Sequence, residues 1–228
     1  MTGRTSGKSA TEKSKTGTSR RGAGHTKTAS RAKILAAAMD EAAMKGWNGL
    51  SMTAIAGRAG VPVQTLRADY PDRSAFLGAL NDEIDAAMLA EGPAAPDEPA
   101  TDRLFELLMR RFDALAPYKE GLRALLNSRP SAPLSLLFSG VRLHRSMGWV
   151  LDAAGIGAHG PLGHFRRSGL LAIYAATMRD WLNDDSPDHA ATMAALDKRL
   201  KRADRMITRC RRRRGNSRNQ GGIAAEAT

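Results

Sequence analysis

The 228-residue chain carries 35 Lys/Arg against 23 Asp/Glu, a net charge of +12, with 42% hydrophobic residues and one cysteine. That length and apolar content suffice for a folded core in one domain or two, and the lone Cys210 excludes an internal disulfide framework and a multi-cysteine zinc site. No run reaches the ~18–20 apolar residues of a membrane span, and no apolar signal segment opens the chain, so a soluble, cytoplasmic protein is expected.

The charge is concentrated at the ends. From Met1 to Lys33 nine Lys/Arg face one acid, a net +8, and from Lys198 to Thr228 eleven face two, a net +9, which leaves −5 for Ile34 to Asp197. Residues 1–27 and 209–228 are polar, basic and without apolar periodicity, so they are expected to be disordered tails. Such tails hold polyanions loosely, the bland alternative being a solvated run or an accident of composition.

Between the tails the apolar residues recur with helical spacing and nothing alternates with period two, so the expected fold is all-α. Leu35, Ala38, Met39 and Ala42 share a face, and Gly46 stands where a helix-ending glycine belongs. Ser51 is the expected N-cap of "MTAIAGRA", with Met52, Ile55 and Ala59 inward and Gly60 ending it. Pro62 opens a short helix whose Leu66 and Tyr70 face the core. Pro71 stops that helix because a proline disfavours helical geometry in the residue before it. Asp72 caps a longer helix with Phe76, Leu77, Leu80, Ile84 and Met88 on one stripe.

"EGPAAPDEPA", 91–100, holds three prolines and no pattern, and reads as a linker. A helix through Leu104, Leu107, Leu108, Phe112 and Leu115 follows, and Pro117, Pro130 and Pro133 punctuate the next stretch. Two long apolar helices lie in "LSLLFSGVRLHRSMGWVLDAAG" and "FRRSGLLAIYAATMRDWLN". "DDSPD" offers Ser186 as N-cap and Pro187 as first residue of a final helix through Met193, Leu196, Leu200 and Ile207.

The segment Thr28 to Met88, with Gly46-Trp47, the "AGV" turn Ala59-Gly60-Val61, and the frame Thr65, Leu66 and Tyr70-Pro71, resembles the TetR family of bacterial repressors. The resemblance implies a helix-turn-helix DNA-binding domain at 28–90 and a helical dimerisation and ligand domain at 101–208. It also implies a homodimer on a double-stranded, pseudo-palindromic operator, each half-site read in the major groove. The residues placed at DNA are Thr53, Val63, Gln64, Thr65, Arg67, Tyr70 and Arg73. The exposed positions depart from the family: Pro62 and Val63 replace a serine cap and a lysine, Gln64 a small residue, and Arg67 and Asp69 an aromatic and a histidine. Glutamine pairs with adenine and arginine with guanine or phosphate, whereas Asp69 repels the backbone. Ile34 to Leu80 holds four Lys/Arg and four acids, so positive charge has to come from elsewhere, and the N-terminal arm, entering the minor groove, is the candidate source.

Gly169 to Asp204 carries a "Y-A-x-T" helix, a "D-x-S-P-D" turn and an "L-D-x-R-L" helix, and resembles the C-terminal domain of coenzyme Q biosynthesis accessory proteins, which are lipid binders with a TetR-like fold. A pocket for a small apolar ligand or lipid is therefore a candidate, lined by Phe112, Phe138, Met147, Trp149, Tyr174, Met178 and Trp181. A packed core or a dimer face is the alternative. The basic final helix, with Lys198, Arg199, Lys201, Arg202 and Arg205 opposite Leu200, Ala203 and Ile207, suits an anionic membrane surface but lacks aromatic anchors. The five histidines form no metal-binding pair on a helix, no nucleophile elbow or phosphate loop occurs, and no enzyme activity, cofactor or metal is expected. Asp184, Asp185 and Asp188 read as capping residues. The second reading of the whole chain is a lipid-binding accessory protein with a vestigial helix-turn-helix.

Overall fold

A computed structural model describes residues 18–128 and 133–225, with side chains from 30 to 128 and from 140 to 209. These residues form helices and turns only: α1 (Thr18–Lys45), α2 (Met52–Ala59), α3 (Val63–Asp69), α4 (Arg73–Ala90), α5 (Ala100–Leu115), α6 (Lys119–Asn127), α7 (Pro133–Ala153), α8 (Gly160–Asn183) and α9 (Ala190–Ala225). The all-α expectation holds. Among the described residues no helix is long and apolar enough to cross a membrane.

The local signals act where the residues place them. The α1 stripe of Leu35, Ala38, Met39 and Ala42 is buried. The helix ends at Gly46, whose φ of 74° is strained for any residue with a Cβ. A short 3₁₀ turn, Trp47–Gly49, then tucks Trp47 inward. The Ser51 hydroxyl accepts from Ala54 N at 3.4 Å to open α2. Gly60, left-handed at φ 68°, closes it, with Val61 N donating to Ala56 O at 3.0 Å. Tyr70 leaves helical geometry before Pro71, and Asp72 caps α4, accepting from Ala75 N at 3.1 Å and from Ser74. These bonds, the serine hydroxyl's first, hold the Asp72 carboxyl below its ordinary pKa.

One apolar cluster runs from Leu35 and Leu66 through Phe76 and Phe112 to Tyr174 and Leu200, so the helix-turn-helix and the larger body share a core. Within 91–100 Ala94 is buried, and its amide donates to Ala153 O on α7 at 3.3 Å. α6 packs closely on α1: a Cβ at Gly121 would lie 2.6 Å from Met39 O.

Two element ends differ from expectation. α1 starts at Thr18 and α9 runs to Ala225, because extending a nucleated helix adds one hydrogen bond per residue fixed. Residues 1–17 and 226–228, and Pro130, lie outside the described residues. On α9 Leu196 and Leu200 are buried, whereas Met193 and Ile207 are exposed.

The start of α9 is a correction. The helix begins at Ala190, not at Pro187, and Ser186 does not cap it; Asp184 and Asp188, both expected to be capping residues, do, Asp188 accepting from Ala190 N at 3.3 Å. The Asp184 carboxylate accepts from Thr192 N at 2.8 Å, from the Thr192 hydroxyl at 2.7 Å, and from Ser186 N at 3.2 Å. The Ser186 hydroxyl itself donates to Asp184, since a charged acceptor forms stronger hydrogen bonds than a neutral one. The Ser186 and Thr192 bonds hold the Asp184 carboxyl far below the usual carboxylate range. A depressed folded-state pKa means that this stabilisation is complete above the unfolded value of about 3.9 and is lost as pH falls further. Asp184→Asn is therefore expected to lower the melting temperature at pH 7 and to flatten its decline below about pH 4. Melting curves from pH 7 to pH 2 test this, and parallel declines in both proteins would refute it.

Candidate functional site

α3 is held from beneath and open above. Leu66 is fully buried, and Tyr70 is buried with its ring stacked on Phe76 at 4.5 Å. Burial pushes the Tyr70 hydroxyl up. Of the seven residues placed at DNA, Tyr70 thus serves as core support. Val63, Gln64, Thr65 and Arg67 are exposed along α3, as is Asp69. Gln64 and Arg67, three residues apart, share one helical face. Thr53 at the start of α2 and Arg73 at the start of α4 are exposed too, next to the capping residues Ser51 and Asp72. The Thr53 hydroxyl lies 2.9 Å from that of Ser51.

The charges of this unit are sorted by position. Arg58 faces Asp40 at 3.8 Å and Glu41 at 3.6 Å, and Lys45 pairs with the buried Glu41 at 2.6 Å. Arg31 donates to Ala79 O at 2.9 Å and faces Asp82 at 3.5 Å. Among the described residues no ion pair engages Arg67 or Arg73. The neutral sum thus conceals acids neutralised on α1 and two arginines available near α3. The stretch from Thr18 that carries Arg20, Arg21 and Lys27 is helical rather than an extended arm, so any minor-groove entry falls to residues ahead of it, which lie outside the described region.

In the body, Phe112 stacks on Tyr174 at 5.2 Å and meets Trp181 at 5.7 Å, and all three rings are buried. Met147 is buried as well, and Met178 packs partly buried against the same cluster. Trp149 is corrected: it is 53% exposed, because two positions along α7 from Met147 turns it to the opposite side of the helix. The Phe138 side chain lies outside the described residues.

A polar cluster beside these rings was not expected from the sequence. Arg111, on α5 and 1% exposed, forms an ion pair with Asp85 on α4. Ser146 on α7 donates to the same Asp85 oxygen, Asn81 donates to the other at 3.2 Å, and the Arg111 guanidinium lies 5.3 Å from the Tyr174 ring centre. Burial lowers the Arg111 pKa, but Tyr174 and Asp85 outweigh it and the net shift is upward. Burial pushes the Tyr174 hydroxyl up, partly opposed by the guanidinium. The signal was present in "LLMRRFDAL": Arg111 occupies the apolar spacing set by Leu104, Leu108 and Leu115.

Residues 141–207 match the COQ9 family, a segment shorter than half of the chain. The fold is similar to that of a TetR transcriptional regulator from Nitrosomonas europaea (27% identity, 76% of this chain and 97% of that one, TM-score 0.63). It is also similar to a TetR regulator from Rhodococcus sp. RHA1 (22% identity, 77% and 96%, TM-score 0.56). A third similar structure is NalD, the secondary repressor of the MexAB-OprM multidrug efflux pump in Pseudomonas aeruginosa (16% identity, 75% and 96%, TM-score 0.50). A search of curated proteins gave no match. Both resemblances read from the sequence hold: the chain has the TetR-like all-α fold, and its C-terminal segment is similar to COQ9.

Proposed function

We propose that the chain is a cytoplasmic, TetR-like transcriptional regulator that binds operator DNA as a homodimer, without catalysis, and is released from it by a small apolar ligand. The observation that carries this is α3, with Gln64 and Arg67 exposed on one face, Arg67 outside any ion pair among the described residues, and Leu66 buried beneath them. Dimerisation is supported by the outer face of α8, where Ser168, Gly169, Ala172, Ala175 and Ala176 are exposed next to Phe165, itself 70% exposed. Exposed large apolar groups favour association, and small side chains let helices approach. The proposed ligand space lies around Phe112, Tyr174, Met178 and Trp181. A ligand releases DNA only if it binds more tightly to a dimer whose half-site spacing does not fit the operator.

Selection of random double-stranded DNA by the full-length chain at physiological salt tests this reading, and the expected product is a palindrome. Gln64→Ala and Arg67→Ala should each cost about 1–3 kcal/mol of preference at their own base positions. Selection of no sequence above random DNA removes the regulator reading. The similarity to COQ9 over 141–207 supports the second reading, a lipid-binding accessory protein with a vestigial helix-turn-helix. That reading gains if DNA selection fails while native mass spectrometry finds copurified isoprenoid or acyl lipid.

A further inference from the structure

α9 outruns the body it packs against. Leu196 and Leu200 are its last buried apolar residues, and from Lys201 to Arg209 every side chain is exposed except that of Ala203, which is half-buried. On the face opposite Leu196 and Leu200 stand Lys198, Arg202, Arg205 and Arg209, all exposed. Steps of four, three and four residues keep these cations within about 60° of one another around the helix, in a stripe about 16 Å long. Among the described residues no ion pair engages any of them, whereas Arg199 and Lys201, beside the stripe, are paired with Asp180 at 2.6 Å and Asp197 at 2.9 Å. Asp197 and Asp204 fall outside the stripe. The helix runs on to Ala225 through Arg211, Arg212, Arg213 and Arg214.

The order of the helices sets this stripe apart from α3. α4 leads away from the reading unit to the segment whose Ala94 bonds to the end of α7. α8 returns to the turn that Lys119 and Arg123 of α6 hold, and α6 lies on α1. α9 starts at that turn and folds back along α8 and α5, which carries the stripe away from α3. The stripe has no apolar side chain to seat in a lipid boundary, since Ile207 lies on the opposite side of α9 and Met206 on its flank. A second copy of the chain presents the same charge, and like charges repel. Arginine, three of the four residues, suits phosphate through its planar fork. The major groove of B-DNA, about 12 Å wide, admits a helix about 10–12 Å across, whereas the deep groove of duplex RNA is too narrow. We infer that the outer face of α9 beyond Asp197 is a second DNA-binding surface, which holds the phosphate backbone of double-stranded DNA without regard to base sequence. It gives each chain a place for duplex besides the one proposed at α3, and it rests on α9 alone, not on the regulator reading.

The test is the salt dependence of binding between the full-length chain and a short labelled DNA duplex of random sequence, followed by fluorescence anisotropy. Lys198→Gln, Arg202→Gln, Arg205→Gln and Arg209→Gln together remove four phosphate contacts. At about 0.9 per contact, the slope of log affinity against log salt should become shallower by about 3–4. Glutamine keeps the helix propensity of the residues it replaces, and Arg202→Lys, Arg205→Lys and Arg209→Lys should leave the slope as it is. The same change is expected in a chain that also carries Gln64→Ala and Arg67→Ala, which separates this surface from α3. If the fourfold variant does not fold, Arg205→Gln with Arg209→Gln, both beyond the last buried residue, should produce about half of the change. A slope altered by less than about 1 in the fourfold variant overturns the proposal. Vesicles of phosphatidylglycerol and phosphatidylcholine are the second probe. If the glutamines release the chain from these vesicles and leave its duplex slope unaltered, the face is a membrane surface and the DNA proposal falls. If no operator is selected while the duplex slope changes as expected, the regulator reading fails and this surface stands.

Discussion

Asp85→Ala is expected to destabilise the chain by about 3–5 kcal/mol, the cost of leaving a buried charge without its partner. Asp85 is 14% exposed and is the only carboxylate paired with Arg111 among the described residues, and its loss also deprives the Ser146 hydroxyl of its acceptor. Against a total stability of about 5–15 kcal/mol for a typical domain, that is a large share. The double variant Asp85→Leu with Arg111→Met removes both charges together. It should recover most of the loss, since a buried pair replaced by apolar groups of similar volume is often neutral or better. Urea unfolding followed by circular dichroism measures all three chains. A cost below about 1 kcal/mol for Asp85→Ala would show that water reaches Arg111 and screens it.

Gly121→Val is the second large effect, and its sign opposes helix propensity. In an exposed helix, replacing glycine with alanine gains about 0.5–1 kcal/mol. Here a new Cβ would lie 2.6 Å from Met39 O and 2.8 Å from Met39 Cα, backbone atoms of α1 that cannot rotate away. α6 is also held from the other side, with Lys119 donating to Asp184 O at 2.5 Å and Arg123 Nε to Leu182 O at 3.1 Å. It therefore cannot retreat without breaking those bonds. The expected loss is about 1–3 kcal/mol or more. Gly57→Ala on α2 is the control: its Cβ would meet nothing within 4 Å, and a gain of about 0.4–1 kcal/mol is expected. Thermal unfolding of the two variants should move in opposite directions, and a stabilised Gly121→Val would refute the close α1–α6 approach.

What could be read in the sequence follows from how far each signal reaches. The all-α class, Ser51 and Asp72 as caps, Gly60 as a left-handed stop and Leu66 as the buried anchor of α3 all depend on neighbours within a few residues along the chain. Their chemistry is therefore complete in the linear order. The α9 cap misled because Ser186 suits that place locally, while the stronger acceptor, Asp184, reaches Thr192 eight residues on. Trp149 misled because membership of an apolar helix does not say which side faces the core. The helix-turn-helix was legible as a frame, whereas its electrostatics were not, since a net count cannot show that Arg58 is engaged by Asp40 and Glu41 while no ion pair among the described residues engages Arg67.

The amino-acid order alone thus determined the helical class, the caps and stops around α2, α3 and α4, the TetR-like helix-turn-helix frame and the COQ9-like C-terminal segment, because periodicity and capping are short-range properties. Only the tertiary structure decided that the reading unit and the body share one core, that Gly121 admits α6 against α1, and that Arg111 meets Asp85 across 26 residues of chain. These are contacts between helices, and their energies depend on burial and partner geometry, which exist only once the helices have packed.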